Sequence, residues 1–140
     1  MDIKEIKSVM IIDENLPQGI IANTAAILGI TLGKRMPDIV GCDVVNASQR
    51  NHLGITGVPI PILKGDADIL KRLREDLYDD EFNDLIVIDF SDVAQKCNDY
   101  NDYIINASET YEDSYTYYGI CICGNKKKIN KLTGSMPLLR

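Results

Sequence analysis

Three short stretches of this chain are apolar at almost every position, and the segments between them repeat their apolar residues every three or four positions. The continuous runs are residues 8–13 (SVMIID), 85–90 (LIVIDF) and 117–123 (YYGICIC). Such runs predict strands covered on both faces, and residues 85–90, the best strand of the chain and apolar on both faces, are expected at the centre of the sheet. After Asp13, Glu14 and Asn15 break the first run, Pro17 suits the first turn of a helix. Ile21, Ala25, Leu28 and Leu32 give that helix an apolar stripe, and Gly33 is its expected stop. A second stripe, Gly19, Ala22, Ala26, Gly29 and Gly33, leaves one side nearly bare. Gly29 within a helix costs about 1 kcal/mol relative to alanine, so close packing against a neighbouring element is the expected return.

Further along, residues 39–45 contain a short strand and residues 46–57 are rich in turn formers. Residues 58–63 (VPIPIL) alternate proline with branched residues. Proline cannot donate to a ladder, so this stretch is an edge strand or an extended strap. Residues 65–78 form a helix with Ile69, Leu70, Leu73 and Leu77 inward; Lys71–Glu75 and Arg72–Asp76 can pair on its surface. Ser91 suits the cap of a helix that breaks near Asn98 and resumes over residues 100–107. A last helix covers residues 126–132. The chain then closes on Met136, Pro137, Leu138 and Leu139, which predicts a packed rather than a frayed segment. Helices alternating with buried strands predict a single α/β domain over residues 1–140, with a four-stranded mixed sheet and helices on both faces.

A chain of 140 residues, 45% apolar, suffices for one core. No run of 18 apolar residues or signal-type opening occurs, so the expectation is a cytoplasmic protein with no membrane partner. The net charge of −6 disfavours long-range attraction to nucleic acid. Cys121 and Cys123 share one face of a strand. Like Cys42, set in a strand neighbourhood, they read as reduced core residues rather than metal ligands. No phosphate-binding glycine loop or dinucleotide fingerprint occurs, because the glycines after Gly19 lie within the helix. No cofactor is expected.

Two segments carry a family resemblance. In residues 11–35 it rests on Leu16-Pro17, Gly19, Ala22-Asn23, Ala25-Ala26, Gly29 and Gly33. In residues 118–140 it rests on Gly119, Asn130 through Gly134, and Pro137-Leu138-Leu139. His52 to Thr56 and Pro59 to Leu63 also fit. The chain resembles the bacterial family known as domain of unknown function 2000, over nearly its whole length. More distantly, the same segments resemble the second class of peptidyl-tRNA hydrolases. That resemblance implies a peptidyl-tRNA-hydrolase-II-like sheet between helices, with the charged groups of those enzymes missing. Ile20 stands where they carry lysine, and Asn130 where they carry aspartate. A helical stretch at residues 103–108 replaces the loop bearing their other aspartate. Thr133 and Gly134 match.

Ester hydrolysis needs a base to activate water and a cation to hold the oxyanion. Isoleucine supplies neither, and Asn130 orients water without taking its proton. Lys131 or Lys64 could stand in. His52, the sole histidine, is of a residue type suited to acid-base work but has no nucleophile motif beside it. Asp13 ends the first strand, where open α/β sheets place ligands. The candidate ligand set is therefore Asp13, Asn23, Thr24, His52, Asn130, Lys131, Thr133 and Gly134, in one strand-end crevice. Three readings follow: a small-molecule-binding domain, a divergent peptidyl-tRNA-hydrolase-like enzyme, and an interaction subunit forming a homodimer through residues 59–63 and the small-residue helix.

Overall fold

The computed structural model describes residues 2–140. The four-stranded sheet has the order β4-β1-β6-β5, made of β1 (Ile6–Asp13), β4 (Ile62–Gly65), β5 (Ile86–Ser91) and β6 (Tyr117–Asn125). β1 runs parallel to β4, while β6 is antiparallel to both β1 and β5. The sheet is therefore mixed. A separate two-stranded hairpin joins β2 (Val44–Val45) to β3 (Asn51–His52). Among the described residues no helix is long and apolar enough to cross a membrane.

Alternation along β1 and β6 feeds two cores. Met10, Ile12, Cys121 and Cys123 turn to α1 (Gln18–Arg35) and pack with Leu28 and Leu32. Val9, Ile11, Ile120 and Ile122 turn to the opposite face. There they meet Leu70, Leu73 and Leu77 of α2 (Ala67–Leu77) and Ile129 of α5 (Lys126–Thr133). The period of two in the strands and of 3.6 in the helices is what lets each element fill one layer. Cys121 and Cys123, both free thiols, are buried on the α1 side, and burial pushes the Cys121 thiol up to about 12, helped by the neighbouring Cys123.

Several expectations are corrected. β5 lies at the edge of the sheet, not its centre. Apolar residues on both faces report layers above and below a strand, not hydrogen-bonded neighbours to either side. Gly33 does not stop α1, which continues to Arg35. The chain breaks instead at Met36, before Pro37, where the residue preceding a proline is driven out of the helical region. The bare stripe of α1 is not packed closely: a methyl at Gly19 or Gly33 would meet nothing within 4 Å, and one at Gly29 would make an ordinary contact with Met10. The close approach occurs on the strand side, at Gly119 of β6. Residues 39–45 split into a 3-10 turn (Pro37–Ile39), an isolated bridge from Val40 to Thr56, and β2. Cys42 is exposed rather than set in an apolar strand.

Side-chain expectations also change. Ser91 precedes α3 (Asp92–Gln95), but its hydroxyl makes no capping bond and is buried without a partner. α4 (Tyr100–Ser108) follows after the predicted break, capped by Asp99. The surface pairs on α2 do not form. The Lys71 ammonium donates to the carbonyls of Glu112, Asp113 and Tyr115, and Arg74 rather than Arg72 finds a carboxylate, Asp89 at 3.0 Å.

Candidate functional site

β1 and β4 are adjacent and parallel, with Asp13 opposite Gly65 at their carboxyl ends. The chain leaves β1 for α1 on one face of the sheet and leaves β4 for α2 on the other. A crevice opens where the two paths part, which is the topological switch point of an open α/β sheet. Local chemistry shapes it. The Asp13 carboxylate accepts from the Asn15 amide at 2.9 Å and turns the chain sharply. The Glu14 amide donates to the Gly65 carbonyl at 3.0 Å and ties that turn to β4. Pro17 then starts α1.

The closing segment forms the remaining wall. The Lys64 amide donates to the Pro137 carbonyl and the Leu139 amide to the Ile62 carbonyl, each at 2.9 Å. Leu138 bridges antiparallel to Leu63. Residues 137–139 thus lie along the outer edge of β4, held by their backbone, with Leu139 half-buried and Pro137 and Leu138 exposed. The resulting crevice holds about 660 Å³, within the usual range for small-molecule sites. Glu14, Gln18, Ile21, Lys64 and Arg140 contribute side chains to it. Among the described residues neither Lys64 nor Arg140 makes a salt bridge.

The eight residues grouped from sequence do not assemble there. Asp13 is buried at the end of β1 and does not line the crevice, which its neighbour Glu14 does. Asn23 is exposed on α1. Thr24 is buried against the sheet, its hydroxyl donating to the Ile20 carbonyl at 2.7 Å. Thr133 is buried too, donating to the Ile129 carbonyl at 2.8 Å. Since α1 and α5 cover opposite faces, the sheet separates these two threonines. Gly134 caps α5, its amide bonded to the Asn130 carbonyl. The Asn130 side chain accepts from Lys7, and Lys131 pairs with Glu81 at 2.7 Å. His52 is exposed on β3 and meets Asn46 at 3.0 Å. The strand-end crevice exists, but its polar groups are Glu14, Gln18, Lys64 and Arg140. Of these, only Lys64 was considered from sequence. The apolar close at Leu138-Leu139 was the available signal for the wall. No pattern marked Glu14 or Gln18.

A second polar cluster also escaped sequence reading. The Glu112 carboxylate receives the hydroxyls of Tyr78, at 2.6 Å, and Tyr117. Arg74 stacks over the Tyr78 ring at 4.0 Å while holding Asp89. Burial opposes the Glu112 charge, yet the two phenols with Arg74 and Lys71 outweigh it and hold its pKa below the usual range. Burial and the Glu112 bond drive the Tyr117 phenol strongly upward. Each oxygen of Glu112 is engaged, so the cluster is a clamp that anchors the loop before β6. Among the described residues no three His, Cys, Asp or Glu side chains are grouped to hold a metal.

The model of a family described as protein of unknown function (DUF2000) matches residues 6–140. The chain belongs to that family. No curated protein matches it. Among solved structures, one of a protein of unknown function from Agrobacterium tumefaciens strain C58 is similar, with a TM-score of 0.85 at 15% identity. The match covers 96% of this chain and 97% of that one. At that identity the likeness establishes a shared fold and nothing about activity.

Proposed function

We propose that this chain is a binding domain for a small anionic molecule, taken up in the crevice at the carboxyl ends of β1 and β4. The observation that carries the reading is the pair of cations, Lys64 and Arg140, that make no salt bridge among the described residues and line, with Glu14, a cleft at the switch point. Cations and the start of a helix both favour a carboxylate or phosphate, and Glu14 and Gln18 supply polar contacts for the rest of the molecule. Titration calorimetry against a panel of small phosphates and carboxylates tests this. Binding that Lys64→Ala and Arg140→Ala each weaken by about tenfold, roughly one charged hydrogen bond, is expected. A panel that gives no heat, or binding that ignores both substitutions, rejects the reading.

A second reading, ester or amide hydrolysis on a peptidyl-tRNA-hydrolase-like scaffold, draws support from Glu14 lining the same cleft as the two cations. A carboxylate base and a cation for the oxyanion are the groups such chemistry requires. Ile20 and Asn130 lack the charges that perform it in the resembled enzymes, which is why binding is preferred. Release of the peptidyl group from peptidyl-tRNA, abolished by Glu14→Gln, would favour hydrolysis. No release above the uncatalysed rate would leave binding.

A further inference from the structure

The stretch around the β2–β3 hairpin stands away from the body as an apolar arm. Every residue from Gly41 to Leu53 is exposed. Among the described residues thirteen large apolar side chains are exposed, and five of them, Val40, Val44, Val45, Leu53 and Ile55, fall in this short stretch. Leu53 is 77% and Ile55 80% accessible. A lone two-stranded hairpin is marginal in water, but this one is held by polar bonds instead of a core. The Asn46 carboxamide accepts from the Ser48 and Arg50 amides, and the Asp43 carboxylate from the Gly54 amide. A methyl at Gly54 would sit 1.8 Å from the Gly41 carbonyl oxygen, so the base of the arm is closed tightly. The arm is shaped in advance, with its apolar groups facing outward.

Surface area gives a scale for what is missing. A folded monomer of 15.6 kDa is expected to expose about 7,200 Å². This chain exposes 9000 Å². The surplus, roughly 1,800 Å², exceeds the ~800 Å² that each partner loses in an ordinary stable complex. Charge narrows the choice of surface. Each chain carries −6 overall, so two copies repel except through neutral regions. The arm, with Asp43 against Arg50, carries no net charge. Residues 18–33 of α1 contain no charged side chain at all. The outer side of that helix shows Ala22, Ala26 and Ile30, the last 75% exposed, with open space over Gly19 and Gly33. Neither the arm nor this helix face carries net charge, so bringing one onto the other meets no like-charge repulsion. The outer edge of β4 is not available for pairing, because residues 137–139 already occupy it.

We infer that this chain pairs with a second copy of itself, the arm of each copy lying across the outer face of α1 in the other. The contact is isologous and closes on two chains, and it carries no net charge, with Asp43 and Arg50 left toward its rim, where interfaces keep their charges. Sedimentation equilibrium of the whole chain at micromolar concentration is the test. A mass twice 15.6 kDa is expected for the native chain. Leu53→Asp with Ile55→Asp, and separately Ala26→Arg, should each raise the dissociation constant at least a hundredfold, since each buries an unpaired charge at the contact. All three positions are exposed in the single chain, so circular dichroism and thermal midpoint should be unchanged. A native chain that stays monomeric up to high micromolar concentration overturns the inference. So does a dimer that survives either variant.

Discussion

At Gly119 α1 packs tightly on the sheet, and replacing it with alanine should be costly for a reason that can be undone. The added methyl would lie 2.6 Å from Cγ2 of Thr24, 3.2 Å from Cδ1 of Leu28 and 3.3 Å from the Ile11 carbonyl oxygen. The Leu28 end can swing away. Thr24 cannot, because β-branching stiffens it and its hydroxyl is bonded to the Ile20 carbonyl. Relief must come from moving α1 off β6, the central strand it covers. Overpacking of this kind costs about 2 kcal/mol, which for a domain of this size lowers the thermal midpoint by about 5–8 °C. Thr24→Ser removes the offending methyl and keeps the hydroxyl bond; alone it should cost about 0.8 kcal/mol for the lost buried group. Were the two effects independent, the double variant would lose about 3 kcal/mol. Relief of the clash predicts instead a loss of about 1 kcal/mol, close to that of Thr24→Ser by itself. Urea denaturation followed by far-UV circular dichroism measures all four proteins with one slope. A Gly119→Ala variant within experimental error of the native chain would refute the reasoning, as would additive losses in the double variant.

Leu28→Ala, at the centre of the same contact and fully buried, should lose about 2–5 kcal/mol in urea denaturation; a loss below about 1 kcal/mol would mean α1 is not seated as described. Ser91→Ala removes a buried hydroxyl without a partner and should leave stability unchanged or raise it by about 1 kcal/mol, whereas a clear loss would show an unseen bond. The Glu112 clamp predicts a pH signature. Its pKa is depressed in the folded chain, so its stabilisation is complete above the unfolded value of about 4.3 and fades as pH falls through the folded one. The stability gap between native protein and Glu112→Gln should therefore narrow from about pH 5 downward, and a gap independent of pH would remove the charge from the explanation. Maleimide labelling of the native protein near pH 8 should modify exposed Cys42 and spare Cys121, whose thiol is buried and pushed up to about 12; labelling of Cys121 without denaturant would contradict the core.

Layering was legible in the residues themselves because it depends on local periodicity. The runs around Met10, Val87 and Ile122 are β-period and two-faced, and Leu28 with Leu32, or Leu70 with Leu73 and Leu77, repeat at helical spacing. A side chain's direction follows from its position along its own element, so the three apolar strands, the main helices and a layer on each face could be read before any contact was known, whereas the β2–β3 hairpin could not. The sequence pattern likewise predicted a packed close at residues 136–139, which is met by Met136, Leu139 and the backbone along β4, while Pro137 and Leu138 stay exposed. Lateral order was a different matter. Nothing within residues 85–90 says whether one or two strands lie beside them, and β5 proved to be an edge. Nothing within α1 says which of its bare positions meets a neighbour; the close contact fell at Gly119 on another element, and the small stripe was left facing outward.

The candidate site divides along the same line. That a crevice should lie beyond Asp13 followed from a strand ending before a helix, a property of neighbours in sequence. Which side chains enter it depends on the faces to which α1, α2 and α5 depart, and those are settled by crossovers between residues far apart in the chain. Thr24 and Thr133 looked like partners along the sequence and are separated by the whole sheet, while Glu14, Lys64 and Arg140 share no local pattern and line one cleft. Local chemistry therefore determined the elements and their buried faces, because those are set by short-range backbone geometry. Only the tertiary fold decided the neighbours, because long-range pairing is chosen by burial summed over the whole molecule.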